Sequence, residues 1–259
     1  MAPMGLKLRK FAWLGLAAAI TLVPPAAAAE FAKIRLYPAR VDIGAFFQGV
    51  EVTLQGEMPP GAEAVVEIEG AAAYQELLRK GRRGGLWMTV GEIWVENAPN
   101  LYLVLSSAPR VPQLEGQQTP WGFPALQSRI KFRGALTDQE KDRFFQEFLE
   151  LKQSEGLYGA LPGALKISHS PAGRMTLKGT CPLPAKVPPG NYQVRLSVIK
   201  DGKVLEQKNE ELEVKMVGFP AFLANLAYGH GAFYGVVAVL IAIATGFIMG
   251  FLFKGKAEH

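Results

Sequence analysis

Residues 188–215 read PPGNYQVRLSVIKDGKVLEQKNEELEVK. Tyr192, Val194, Leu196 and Val198 alternate with Gln193, Arg195 and Ser197, the period-two pattern of a strand with one buried face. Pro188, Pro189 and Gly190 launch that strand, and Asp201-Gly202 ends it. A two-residue Asp-Gly loop favours a type I′ turn, whose twist suits a hairpin, so a return strand is expected over residues 203–215. Such a hairpin has one apolar face to bury, and a second sheet is the usual cover.

The same texture runs through the first half of the chain. Residues 51–55 and 64–69 alternate, and residues 101–105 (Leu-Tyr-Leu-Val-Leu) read as a strand buried on both faces. Turn signals recur at Pro38, Gly49, residues 58–61, 81–85 and 97–100, about every 8–12 residues, which is the rhythm of a sandwich. The fold expected over residues 30–215 is mainly β, an immunoglobulin-like β-sandwich. Trp87 and Trp94 flank Gly91, and Trp94 is expected to be largely buried. A Pro-Pro-Gly turn occurs at 59–61 and again at 188–190, a faint echo of two related β units.

A Pro- and Gln-bearing connector over residues 109–124 leads into a helical insert at about 124–156. Thr137-Asp-Gln-Glu140 has the form of a capping box, with Leu136 at the staple position. Phe144, Phe145, Phe148, Leu149 and Leu151 recur at helical spacing, Glu147, Glu150 and Lys152 are read as facing water, and Gly156 supplies the stop. The Phe cluster reads as a face docked on the sandwich; the alternative is a hydrophobic ligand groove.

The chain is 49% hydrophobic, with a mean hydropathy of +0.12. The excess sits in two uncharged runs, residues 11–29 and 231–253. The first follows Lys7, Arg9 and Lys10, breaks at Pro24-Pro25 and ends in Ala27-Ala28-Ala29, the layout of a signal peptide over residues 1–29. Its apolar part, residues 11–23, covers roughly 20 Å as a helix, short of the ~30 Å hydrocarbon core. The second is long enough to cross. Lys254 and Lys256 follow it at once, and Tyr228 and Tyr234 stand at its other end, so a transmembrane helix over 231–253 with a cytoplasmic tail at 254–259 is expected. Residues 216–230 then form a juxtamembrane segment, an interfacial helix or collar. The implied location is a bacterial cytoplasmic (inner) membrane, crossed once, with the large domain in the periplasm.

The net charge of +5 does not mark a nucleic-acid binder. Five of the 28 cations flank the two apolar runs, and residues 30–230 are close to neutral. Metal or haem chemistry lacks its residues: His169, His230 and Cys181 stand apart, without C-x-x-C, so no cofactor is expected. Ser168-His169-Ser170 would point its serines away from the imidazole on a strand, and His169 is read as a surface residue in a loop near Pro171. Asp138/Asp142 and Glu147/Glu150 read as a solvated helix face. Cys181 is expected to be buried and inert; an intermolecular disulfide or a reactive thiol is the alternative. No enzyme is expected.

Two features are candidate sites. Arg79, Lys80, Arg82 and Arg83, among Gly81, Gly84 and Gly85, read as a loop tip between strands: a solvated hairpin, or a dock for an anion or a partner. Ala238, Ala242, Gly246 and Gly250 recur every fourth residue, a small-residue stripe suited to packing against another membrane helix.

The chain resembles a family of alpha-proteobacterial transmembrane proteins. The resemblance is carried by Ile43-Gly-Ala-Phe-Phe-Gln-Gly49 running into Val52-Thr-Leu-Gln-Gly56, by Leu86-Trp-Met-Thr-Val-Gly-Glu-Ile-Trp94 followed by Ala98-Pro-Asn-Leu-Tyr102, by Leu183-Pro-Ala-Lys-Val-Pro-Pro-Gly-Asn-Tyr192, and by Phe233-Tyr-Gly235. Cys181 departs from it, where an apolar residue is the pattern. The resemblance implies an exported domain on a C-terminal anchor, in a group that accompanies exporters of the sulfite or organosulfonate type, and it implies no catalytic residue. The function expected is an accessory or binding subunit for an integral-membrane transporter in the lipid bilayer. A subunit of a membrane enzyme or electron-transfer complex, and a free-standing structural domain, are the rival readings.

Overall fold

The computed structural model describes residues 32–114, 118–134, 137–169 and 174–254. The signal-peptide region, Leu136, Ser170 and the tail from residue 255 lie outside the described residues. The strands are β1 Lys33–Tyr37, β2 Arg40–Ile43, β3 Gly49–Met58, β4 Glu63–Glu69, β5 Ala72–Arg83, β6 Leu86–Pro99, β7 Tyr102–Ser106, β8 Lys131–Arg133, β9 Tyr158–Leu161, β10 Leu165–His169, β11 Met175–Pro184, β12 Gly190–Lys200 and β13 Lys203–Met216. The helices are α1 Gly122–Arg129, α2 Asp138–Ser154, α3 Gly218–Gly229 and α4 Gly231–Lys254.

One sheet has the order β1-β3-β11-β10, and the other β2-β13-β12-β4-β7-β9. Lettered as immunoglobulin strands, these are A-B-E-D and A′-G-F-C-C′-C″, the variable-type arrangement. β2 runs parallel to β13, as an A′ strand does beside G. The fold is therefore an immunoglobulin-like sandwich, as the turn rhythm indicates. Its core is filled from both sheets by alternate residues: Val52, Leu54 and Leu177 from the first, and Val66, Ile68, Val194 and Leu196 from the second, none of them exposed.

Tyr192, at the start of β12, donates its hydroxyl to the Pro188 carbonyl, the tyrosine-corner bond of such sandwiches. Two residues on, where antibody domains place a bridging cysteine, stands Val194. Packing alone fills that place. Cys181 lies on β11, fully buried, opposite Val52.

Asp201 and Gly202 have φ of +51° and +67°, the type I′ turn expected, with Lys200 paired to Lys203. The capping box also forms: the Thr137 hydroxyl accepts from the Glu140 amide, and the Glu140 carboxylate accepts from the Thr137 amide at 2.9 Å. The insert is richer than one helical stretch. β8 interrupts it, and strand structure resumes at Tyr158 with β9, which pairs with β7 in parallel and so needs a crossover.

α1 and α2 belong to that crossover. Phe145 and Phe148 are 2% exposed, and Phe148 meets Tyr158 and Phe132 edge-on. The docked-face reading of the Phe cluster holds for these two and Leu149. Leu151 is a correction, being 47% exposed, and so is Lys152, which is 8% exposed. Lys152 lies over the Phe148 ring, 3.9 Å from Glu155, and burial pushes its ammonium below its ordinary pKa.

Candidate functional site

The second addition to the sandwich is an arm. Strands β4 and β7 pair up to Glu69↔Tyr102; Gly70 then donates to the Leu101 carbonyl and Asn100 to that of Ala71, and β5 and β6 take over from Ala72↔Pro99. The C–C′ ribbon thus runs on without interruption into a hairpin whose strands have 12 and 14 residues. Two register shifts put an extra residue on β6 each time, one beside Asn97, whose φ is +60°, and one at Val90. Bulges on one strand bend a ribbon, and the bend brings β6 to β8 at Trp94↔Arg133. Gly84 and Gly85, both with positive φ, make the closing turn.

The cations Arg79, Lys80, Arg82 and Arg83 are consequently not in a loop. All four are strand residues of β5, paired with Gly91, Thr89, Trp87 and Leu86. They also part company. Arg79 docks on α2, 3.6 Å from Glu140 and over the Phe144 ring, whereas Lys80 donates to Thr89 and Arg82 to the Gly85 carbonyl near the turn. Leu77, Arg79, Ile93, Phe144 and Leu151 line an open cleft between the arm and α2.

Ile93 and Val95 are buried, and Trp94 between them is mostly covered and stacks on Tyr74 with ring centres 5.2 Å apart. Beyond α2 the arm is bare: Leu86 is 69% exposed and Trp87 74%, with Met88 beside them.

A polar network unmarked in the sequence lies on the outer face of the second sheet. Glu67 is 3% exposed. The Tyr102 hydroxyl donates to its Oε1 at 2.6 Å and accepts from the Gly122 amide at 2.8 Å, tying α1 to the sheet. Arg195 lies 3.6 Å from Oε2, which accepts no hydrogen bond. Burial pushes the Glu67 carboxyl above its ordinary pKa, against the Tyr102 bond and the Arg195 charge, and pushes the Tyr102 phenol up as well. Arg129 lies over the Tyr102 ring and meets both Glu69 oxygens at 2.9 and 3.0 Å. Arg129 and Arg195 line a surface cleft, with Glu67 behind them rather than on its wall. The signal for this network is a glutamate on the apolar strand 64–68, opposite an arginine of the next strand.

His169 is the last residue of β10, exposed, a strand end rather than a loop. Among the described residues no group of three His, Cys, Asp or Glu side chains could hold a metal ion. α3 exposes Phe219, Phe222 and Tyr228. α4 contains an uncharged span at Gly231–Phe253 with mean hydropathy 2.7, none of it buried. Ala238, Ala242, Gly246 and Gly250 lie along it, and a Cβ added at Gly246 or Gly250 would meet nothing within 4 Å.

An immunoglobulin-type sandwich carrying, among the described residues, one apolar helix of membrane-spanning length is the class that these elements define. The chain belongs to the family described as "Putative transmembrane protein (Alph_Pro_TM)", whose sequence model matches residues 33–255. It is anchored in a membrane through the C-terminal helix. No curated protein matches it. Among solved structures it is similar to murine CRIg, at 10% identity and a TM-score of 0.24 over 72% of this chain and 98% of that one. It is also similar to domain 1 of VCBP3 from Branchiostoma floridae, at 12% identity and a TM-score of 0.25 over 73% and 96%.

Proposed function

We propose that the protein is a non-enzymatic accessory subunit that holds its sandwich on the periplasmic face of a bacterial inner membrane, beside an integral-membrane transporter of the sulfite or organosulfonate exporter type. The observation that carries this reading is the open stripe on α4. Lipid tails solvate Leu or Ile as well as any protein does, so a helix that only anchors has no need of small residues in register. Ala238, Ala242, Gly246 and Gly250 let a second backbone approach, and the Gly positions are unfilled within the chain. In this reading the partner's helix packs there.

The test is co-purification in mild detergent. Gly246→Leu with Gly250→Leu should stay in the membrane fraction and lose the transporter that the parent retains. Equal recovery of that partner by the double variant would overturn the assignment.

A second reading, a subunit of a membrane enzyme or electron-transfer complex, draws on the titratable pair Glu67 and Tyr102 beside the Arg129–Arg195 cleft. The pair is sealed from that cleft and spends its bonds on holding α1, which favours a structural latch.

A further inference from the structure

We propose that the tip of the β5–β6 arm is a second membrane contact: Leu86, Trp87 and Met88 enter the interface of the leaflet on the sandwich's side, while Lys80, Arg82 and Arg83 meet its anionic headgroups. This contact requires only the anchored chain and is independent of any transporter partner.

Strand register places the arm at the right end of the domain. Glu213 at the close of β13 is opposite Asn191 at the start of β12, and Gln193, two residues on, is opposite Glu69 at the close of β4. The chain leaves for α3 and α4 from the same end at which β4 passes into the arm. Everything that departs from this end starts on the membrane side. The reach is sufficient. Twelve residues of strand extend roughly 40 Å, and the twelve of α3 only about 18 Å even standing upright. The root of the arm is braced by β8 and α2, and the Tyr158 hydroxyl donates to the Pro99 carbonyl at 2.6 Å, so the tip is held out from the sandwich.

The chemistry of the tip fits a bilayer interface. Directly opposed residues share a face of the ribbon, so Arg82 stands beside Trp87 and Arg83 beside Leu86. Each face therefore offers an apolar side chain with a cation at its flank. Tryptophan favours the headgroup level, where its ring is in apolar surroundings and its N–H stays wet, and arginine reaches back along its stem to phosphate. Among the described residues, no acidic side chain pairs with Lys80, Arg82 or Arg83 at the tip; their bonds go to Thr89 and the Gly85 carbonyl. Anionic lipid supplies the missing charge, each cation adding roughly fivefold to surface affinity.

The experiment uses the full chain reconstituted alone in phosphatidylcholine–phosphatidylglycerol vesicles, with and without brominated acyl chains. The parent and Trp87→Phe are compared, so that their difference isolates Trp87. Bromolipid is expected to quench that component, and the combined Lys80→Gln, Arg82→Gln and Arg83→Gln variant to recover most of its emission. The three changes shift the tip's bound-to-free ratio by about a hundredfold. All-phosphatidylcholine vesicles should recover it likewise. If bromolipid leaves Trp87 bright and aqueous iodide quenches it instead, the membrane contact is wrong and the tip is free for a protein partner. Quenching that is indifferent to lipid charge and to the three glutamines would overturn the headgroup role. Neither result touches the co-purification test on α4.

Discussion

Glu67 faces Tyr102, Arg195 and the α1 segment, and burial holds its carboxyl above the ordinary value of 4.5. An acid whose pKa is raised on folding adds stability below its unfolded pKa, and that contribution is lost as the pH rises through the folded one. Glu67→Gln keeps an oxygen for the Tyr102 hydroxyl and carries no charge. Its melting temperature should match the parent's in acid near pH 4 and exceed it progressively as the pH is raised to 7. A parent that gains on the variant over that rise would show that Arg195 outweighs burial. Cys181 behaves more simply. Its thiol is fully buried and pushed up to about 12, so thiolate is scarce at neutral pH. Iodoacetamide should leave it unmodified in the native chain and label it at the rate of unfolding in denaturant. Prompt labelling without denaturant would contradict its place in the core.

At the scale of elements, α2 shows where helical spacing decided more than residue type. Phe145, Phe148, Leu149 and Lys152 are one stripe at i, i+3, i+4 and i+7, and all four are buried. Reading Lys152 as solvated followed its charge, and reading Leu151 as buried followed its apolarity; the spacing contradicted both. Phe148→Ala should therefore cost about 3–5 kcal/mol, while Phe144→Ala, at the half-open edge of the cleft, should cost well under half of that in urea unfolding. Equal losses would mean that the docked face is misplaced. The arm escaped sequence reading for a different cause. Arg79-Lys-Gly-Arg-Arg83 next to Gly84-Gly85 has the composition of a loop, and from Arg79 to the turn the ribbon is open to solvent on both faces, so no alternation betrays it there. The bulges at Asn97 and Val90 each offset the pairing by one residue, so parity counted from either end of β6 does not carry through.

For the molecule as a whole, the hairpin over residues 188–215, the Asp201-Gly202 turn, the capping box and the span were legible because each is a local pattern with one physical solution. The crossover from β7 to β9, the Glu67 latch and the brace under the arm were not, since they depend on which strands meet. What emerges is a variable-type sandwich whose C″ side is wrapped by its own insert and whose membrane-side end sends out an arm and an anchor. The measurement that bears most directly on that arrangement is the sidedness of the chain in living cells. A reporter active only in the cytoplasm, fused after His259, is expected to work, while a protease added to opened periplasm should reach and digest the sandwich. A silent cytoplasmic fusion, with a periplasm-specific reporter active in the same place, would contradict the periplasmic sandwich and the orientation of α4 together.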